Sequence, residues 1–274
     1  MRVWLGLAVL CLADDREDLL SAVRKTAEAA SYTFRIETRV DTTFGKAPRE
    51  IPVVDGKFDK DVGLALKVGD RAEIFRKDQK TYAKPTGQEN WREVWGYPYG
   101  GAAGDVPPPA GQPQGPVRGG GDRVQLFGRM MIRNLKPPHE EILTFEKGLK
   151  EVKKAELTEK VGELECVIYA GDFTDEAMKD SPFARMFNQF GVADPGMTGR
   201  LRAWIDPKSG TLPRYEITTS VSVEFQGNIF EVSTARTITL SDSGRTKVEV
   251  PEGLRRLLGE RSEDPNKDQK KPNF

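Results

Sequence analysis

The sequence predicts an α+β protein in which one large antiparallel sheet carries an apolar face covered by short helices. Three observations predict it. Stretches near both ends alternate apolar and polar residues with a period of two, which places one face of a strand in a core and the other in water. Between them run short β-prone segments punctuated by turn dipeptides. A few short segments instead space their apolar residues as a helix does.

The N-terminus sets the compartment. Met1-Arg2 is positive, Val3 to Leu12 is almost unbroken apolar chain, and Ala13 precedes the acidic pair Asp14-Asp15. That order describes a cleavable secretory signal over residues 1–13, cut after Ala13. The run is too short to span a bilayer, which needs roughly 20 apolar residues. A buried first strand or helix is the rival reading. Cys11 raises the question of a lipoprotein anchor, but Leu10 before it is larger than the small residue such an anchor uses. The expected product is a periplasmic or secreted protein, monomeric and touching membrane peripherally at most.

The mature chain is expected to be one domain over residues 14–258, followed by a charged, apolar-poor and disordered tail at 259–274. Its parent sequence has 42 basic and 42 acidic residues, so there is no basic excess to draw nucleic acid. Only Cys166 survives cleavage, so no internal disulfide can form and packing must supply the stability.

Each element follows in order. Residues 14–30 repeat Leu19, Leu20, Val23, Ala27 and Ala30 at helical spacing, with acidic residues at the end where the helix dipole is positive. At 31–40 the period changes to two, with Tyr32, Phe34, Ile36, Thr38 and Val40 on one side of a strand. Residues 51–95 read as a meander of hairpins turning at Asp55-Gly56, Gly69-Asp70, Lys77-Asp78 and Thr86-Gly87. Residues 96–122 contain 15 Gly or Pro in 27 positions and read as a flexible surface loop inserted between strands.

Helical spacing returns at 124–135 and 139–149, the two separated by Pro137-Pro138. Residues 151–173 read as a hairpin turning near Glu159–Gly162, with Leu164, Cys166 and Ile168 on one face. Thr174 then starts a helix whose apolar stripe is Met178, Phe183, Met186, Phe187 and Phe190, divided by Pro182. The last third is the clearest: LRAWID, a turn at 206–210, and two long alternating strands joined at Gly227-Asn228. Tyr215, Ile217, Thr219, Val221, Val223 and Phe225 share one side of the first. Phe230, Val232, Thr234, Ile238 and Leu240 share one side of the second, interrupted by Arg236.

This order of elements resembles a known superfamily. The resemblance is carried by AEIFRKDQKTYAKPTGQENWREV (72–94), GELECVIYAGDFTDEAMK (162–179), RAWIDPKSGTLPRYEI (202–217) and TARTITLSDSG (234–244). The chain is similar to the LolA-like periplasmic lipoprotein carriers and the related LppX–LprG-like lipid-binding lipoproteins of mycobacteria. The similarity covers most of residues 14–250, with the Trp-Ile-Asp-Pro turn and the Tyr/Trp pattern around 82–91 as its specific features. It implies an open half-barrel sheet with short helices lodged in the concave face, and the binding or shuttling of a lipid or lipoprotein acyl chain. The 96–122 insertion and the charged tail depart from the family, and its ligand-gating arginine is carried over to no residue here.

No constellation points to chemistry. His139 is the one histidine and starts a helix, where a surface role is simplest. Cys166 alternates with apolar neighbours as a small core residue does. Glu140-Glu141 and Asp172, Asp175 and Glu176 read as helix caps and solvated faces. Zinc spacing, a nucleophile elbow and a phosphate-binding glycine loop are all missing from the sequence. The expected protein is therefore not an enzyme and uses no cofactor or metal. Its candidate lining for an apolar ligand is Phe34, Ile36, Ile217, Val221, Val223, Phe230 and Val232, opposed by Met186 and Phe190. The bland reading of the same residues is an ordinary helix-on-sheet core. A protein-interaction or envelope-stress-sensing module, contacting an envelope partner through residues 96–122, is the alternative function.

Overall fold

The computed structural model describes residues 14–43, 51–78, 80–93, 136–179, 181, 184, 196–225 and 228–259. The predicted signal, the 96–122 loop, the helix at 124–135, nearly all of the 180–195 segment and the tail beyond Gly259 lie outside the described residues. In chain order come helix α1 (Asp15–Ala27), strand β1 (Ser31–Thr42) and the meander β2 (Val54–Asp59), β3 (Gly63–Val68), β4 (Ala72–Lys77), β5 (Lys80–Pro85) and β6 (Arg92–Glu93). Helices α2 (Pro138–Ile142) and α3 (Phe145–Gly148) lead into β7 (Leu149–Val161) and β8 (Leu164–Phe173). Helix α4 (Asp175–Lys179), strands β9 (Gly196–Asp206), β10 (Thr211–Phe225) and β11 (Asn228–Ser241), and helix α5 (Glu252–Arg255) complete the series. The fold is α+β: an open antiparallel sheet of eleven strands, with β6 and β7 as its edges.

The chain divides into two compact units. The larger comprises residues 1–29, 34–53 and 117–241. Its strands lie in the order β1-β11-β10-β9-β8-β7. Opposed residues of antiparallel neighbours share a face, so register alone assigns the sides. Tyr215 stands opposite Ile238 and Ala203, Ile217 opposite Arg236 and Leu201, Thr219 opposite Thr234 and Gly199, and Val221 opposite Val232 and Met197. Ala203 and Leu201 continue the same rows to Tyr169 and Gly171. Leu201, Ala203, Tyr215 and Ile238 are fully buried.

Helix α1 lies over this face because its sequence supplies both a start and a stripe. The Asp14 carboxylate accepts the Arg16 N–H at 3.0 Å and caps the first turn. Leu19, Leu20, Ala22, Val23 and Thr26 are its buried side, set against β10, β9 and β7. The Thr26 hydroxyl fastens its last turn, donating to the Ala22 carbonyl and accepting the Leu212 N–H, both at 2.8 Å. The edge strand β7 is guarded by its charges and by register breaks between Lys150 and Lys153 and between Lys154 and Thr158.

The smaller unit comprises residues 30–33, 54–116 and 242–274, with strands in the order β6-β5-β4-β3-β2. The C-terminal segment closes its core. Val248 and Leu254 pack with Phe75, Tyr82 and Trp91, and the Lys84 ammonium lies 5.5 Å from the Trp91 ring centroid.

Three expectations need correcting. Asp55-Gly56 is not a turn but lies within β2, where Gly56 is buried opposite Leu66. The chain turns after Asp59 instead. The Asp59 carboxylate accepts the Asp61 N–H there, and Gly63 adopts φ +129°, with a β-carbon at Gly63 meeting the Arg76 carbonyl. The helix expected over 139–149 is two shorter helices, separated by Leu143-Thr144, and Leu149 already belongs to β7. Glu159 is a strand residue, and the hairpin turns at Gly162, φ +60°.

Candidate ligand-binding face

The helix-covered face of the larger unit is the candidate site. Among the described residues, four helices meet it: α1, the paired α2 and α3, and α4. Pro138 begins α2, where its missing N–H costs nothing. Phe145 opens α3 and is buried, its ring edge-on to Tyr215 at 5.5 Å and tilted against Phe173 at 5.8 Å. The Thr174 hydroxyl accepts the Ala177 N–H at 3.2 Å and starts α4. The Met178 sulfur of α4 then lies where a β-carbon on Gly199 of β9 would stand.

A charged group also sits in this setting. Arg236 on β11 projects from the row of Ile217 and Leu201, with its side chain 19% exposed. Its Nη1 donates to Glu141 Oε1 at 2.8 Å and its Nη2 to Oε2 at 3.4 Å. The Tyr215 hydroxyl donates to the same Oε2 at 2.9 Å. Burial opposes the Arg236 charge, but the adjacent Glu141 carboxylate outweighs it, and the guanidinium titrates above its ordinary value. The Glu141 side chain is 14% exposed, so α2 is tied to the sheet through a half-buried, three-donor contact. A second tie joins α1 to β8, where the Tyr169 hydroxyl donates to Asp18 Oδ2 at 3.2 Å.

The predicted lining falls as follows. Phe34 and Ile36 are buried in β1 and Val221 in β10. Ile217 and Val232 are half-buried and share the helix-covered face with Val221. Val223 stands opposite Phe230 in the same register. Met186 and Phe190 lie outside the described residues. The prediction omitted Leu201, Ala203, Tyr215, Ile238, Phe145 and Met178, which share or cover that face. It also read Glu141 as solvated. The signal that could have placed it was Arg236 itself, because a cation in an apolar strand row needs a buried counter-charge.

The opposite face of β7–β10 is chemically different. Ile168, Trp204 and Arg214 form a row across it, with buried Cys166 beside them. The Trp204 indole N–H donates to Glu159 Oε2 at 2.9 Å, and the Arg202 and Arg214 guanidinium groups lie 4.7 and 4.8 Å from its ring centroid. Burial and then the Asp206 charge push the Cys166 thiol up, away from nucleophilic use. A depression of about 330 Å³ on this side is lined by Ala170, Arg200, Arg202, Glu216 and Thr218, and its charges do not suit an apolar guest. His139 is half-buried in α2. Among the described residues no group of three or more His, Cys, Asp or Glu is placed to hold a metal ion, and no helix is long and apolar enough to cross a membrane.

No family model matches the sequence, and no curated protein matches it. Solved structures resemble it in fold alone. The fold is similar to the lipoprotein LppX of Mycobacterium tuberculosis, with 12% identity, a TM-score of 0.46, and coverage of 86% of this chain and 98% of that one. It is similar to LprF of Mycobacterium bovis, with 14% identity, a TM-score of 0.45 and coverage of 87% and 96%. It is similar to a LolA-superfamily protein of Nitrosomonas europaea, with 8% identity, a TM-score of 0.27 and coverage of 88% and 96%.

Proposed function

We propose that this chain is an exported, non-enzymatic binding protein that holds a lipid or the acyl chain of a lipoprotein, as a carrier or a sensor. One observation carries the reading: the apolar sheet face around Leu201, Ile217, Val221 and Ile238 is roofed by short, separate helices. A roof of helices of five, four and five residues in α2, α3 and α4 has little cohesion of its own. Most of its stability comes from contact with the sheet, so an apolar chain of similar volume can take the place of part of it. Met178 against Gly199 and Phe145 against Tyr215 supply a deformable and an aromatic element at that contact. Each methylene a ligand buries there contributes about 0.8 kcal/mol, offset by the roof contacts it displaces.

Organic extraction of the purified protein, followed by mass spectrometry, tests this directly. The expected result is a bound lipid at near-stoichiometric yield, or uptake of a fluorescent fatty acid by the delipidated protein. A preparation that is free of lipid and takes up no fluorescent fatty acid would end the reading. Removal of residues 1–13 on export is checked by N-terminal sequencing of the periplasmic or secreted product.

A further inference from the structure

We infer that the ligand carries an anionic head, a carboxylate or a phosphate, and that Arg236 and Tyr215 receive it in the position now held by the Glu141 carboxylate. The inference rests on the lipid-binding reading above and adds the chemistry of the head group.

The site already holds a carboxylate, that of Glu141. Arg236 Nη1 and Nη2 and the Tyr215 hydroxyl converge on its two oxygens at 2.8, 3.4 and 2.9 Å. Paired N–H donors facing two oxygens are the geometry in which arginine recognises carboxylate and phosphate. The three donors come from two adjacent strands, β10 and β11, whereas the acceptor comes from α2. The donors therefore belong to the sheet and the acceptor to the roof.

That division decides the ligand. A chain that enters between the sheet and α2 or α3 must part Glu141 from Arg236, because the pair bridges those two layers. Arg236 cannot shed its proton, and its side chain, 19% exposed in the row of Ile217 and Leu201, has little access to water. Left without a counter-charge it would be strongly destabilised. An alcohol, ester or hydrocarbon ligand leaves it so, and a cationic amphiphile makes matters worse. An anionic head replaces the lost carboxylate oxygen for oxygen while its chain takes the apolar rows. Discrimination then arises from the charge left unpaired by the wrong ligand rather than from the fit of the chain.

The test is titration calorimetry of the full-length mature protein, delipidated, with four ligands of equal chain length below their micelle concentrations. These are hexadecanoate, hexadecyl phosphate, hexadecanol and hexadecyltrimethylammonium. The two anions are expected to bind about tenfold or more tighter than hexadecanol, and the cation more weakly still. Which anion binds tighter assigns the head as carboxylate or phosphate. Glu141→Gln removes the internal competitor and is expected to strengthen hexadecanoate binding while leaving Arg236 in place. Arg236→Met is expected to erase the gap between hexadecanoate and hexadecanol, with hexadecanol binding retained as evidence of an intact fold.

Hexadecanol bound as tightly as the anions, by both the wild type and Glu141→Gln, would overturn the inference and leave the lipid-binding reading standing. Failure of all four ligands to bind either protein would overturn both. If Arg236→Met does not fold, Arg236→Lys is the substitute. It keeps the charge and loses the fork, and an unchanged preference between hexadecanoate and hexadecyl phosphate in it would count against the bidentate geometry proposed.

Discussion

The Met178 sulfur stands where a β-carbon of Gly199 would be, and the Phe173 ring closes the same space from the side at 3.0 Å. Helix α4 can approach β9 only because position 199 has no side chain. Gly199→Ala is therefore expected to push α4 off the sheet and cost about 1–3 kcal/mol by overpacking. Denaturant unfolding measures it. Adding Met178→Ala should recover part of the loss, since it vacates the space the new methyl needs. Equal stability of Gly199→Ala and the wild type would show that α4 is not held against β9 in solution.

Thr26 gives a second handle, at the far end of α1. Its hydroxyl donates to Ala22 O and accepts from the Leu212 N–H, so it links the helix terminus to the start of β10. Thr26→Val keeps the shape and removes the acceptor, leaving a buried backbone N–H unpaired. The expected loss is about 1–3 kcal/mol, read as a lowered denaturation midpoint with an unchanged m-value. Amide exchange at Leu212 should accelerate more than at Leu201.

Tyr169 reports on the docking of α1 through pH. Burial, then the Asp18 charge and its hydrogen bond, push the phenol up to about 12. The folded value is thus above the unfolded one of about 10, and the neutral phenol is the form that folding favours. Its contribution is complete below pH about 10 and fades as pH rises through about 12. Ultraviolet titration of phenolate should show a late-titrating component that Tyr169→Phe removes. Asp18→Asn should bring that tyrosine back toward its ordinary range, though not fully, because burial remains. A Tyr169 that titrates normally in the wild type would mean α1 is undocked.

How far the sequence disclosed this arrangement depends on the range of the interaction. Alternation fixed the sides of β1, β10 and β11, since a one-residue slip would turn Tyr215 and Val221 to water. Turn chemistry placed Gly69, Asp78, Gly87 and Gly210, all of which have positive φ. The same logic failed at Asp55-Gly56, because Gly56 is a buried strand residue paired with Leu66 and not a reversal of the chain. Arg236 was visible as an anomaly, but its partner was not. Glu141 lies 95 positions away on a separate helix, and no local pattern encodes a contact of that separation. The Met178–Gly199 contact was hidden for the same reason. A glycine in a strand advertises a close approach without naming what approaches.

Trp204 was expected to mark a specific turn, yet it organises the face that the helices do not cover. The hydrogen bond from its indole, together with the Arg202 charge and despite the opposing effect of desolvation, holds the Glu159 carboxyl below its usual value. A depressed folded value means the carboxylate form stabilises the fold, fully above the unfolded pKa of about 4.3 and decreasingly as pH falls through the folded one. Trp204→Phe keeps an aromatic ring for Arg202 and Arg214 to stack on but removes the N–H and part of the buried indole. The variant should therefore lose stability at every pH through the cavity it leaves, with an additional loss above pH about 5 that disappears in acid. Glu159→Gln, which cannot titrate, should show the same flattening. Denaturant midpoints measured from pH 3 to 7 decide it. Parallel curves for the wild type and Trp204→Phe would mean that the Trp204–Glu159 hydrogen bond does not couple to protonation, and that the tryptophan serves this face through its ring alone.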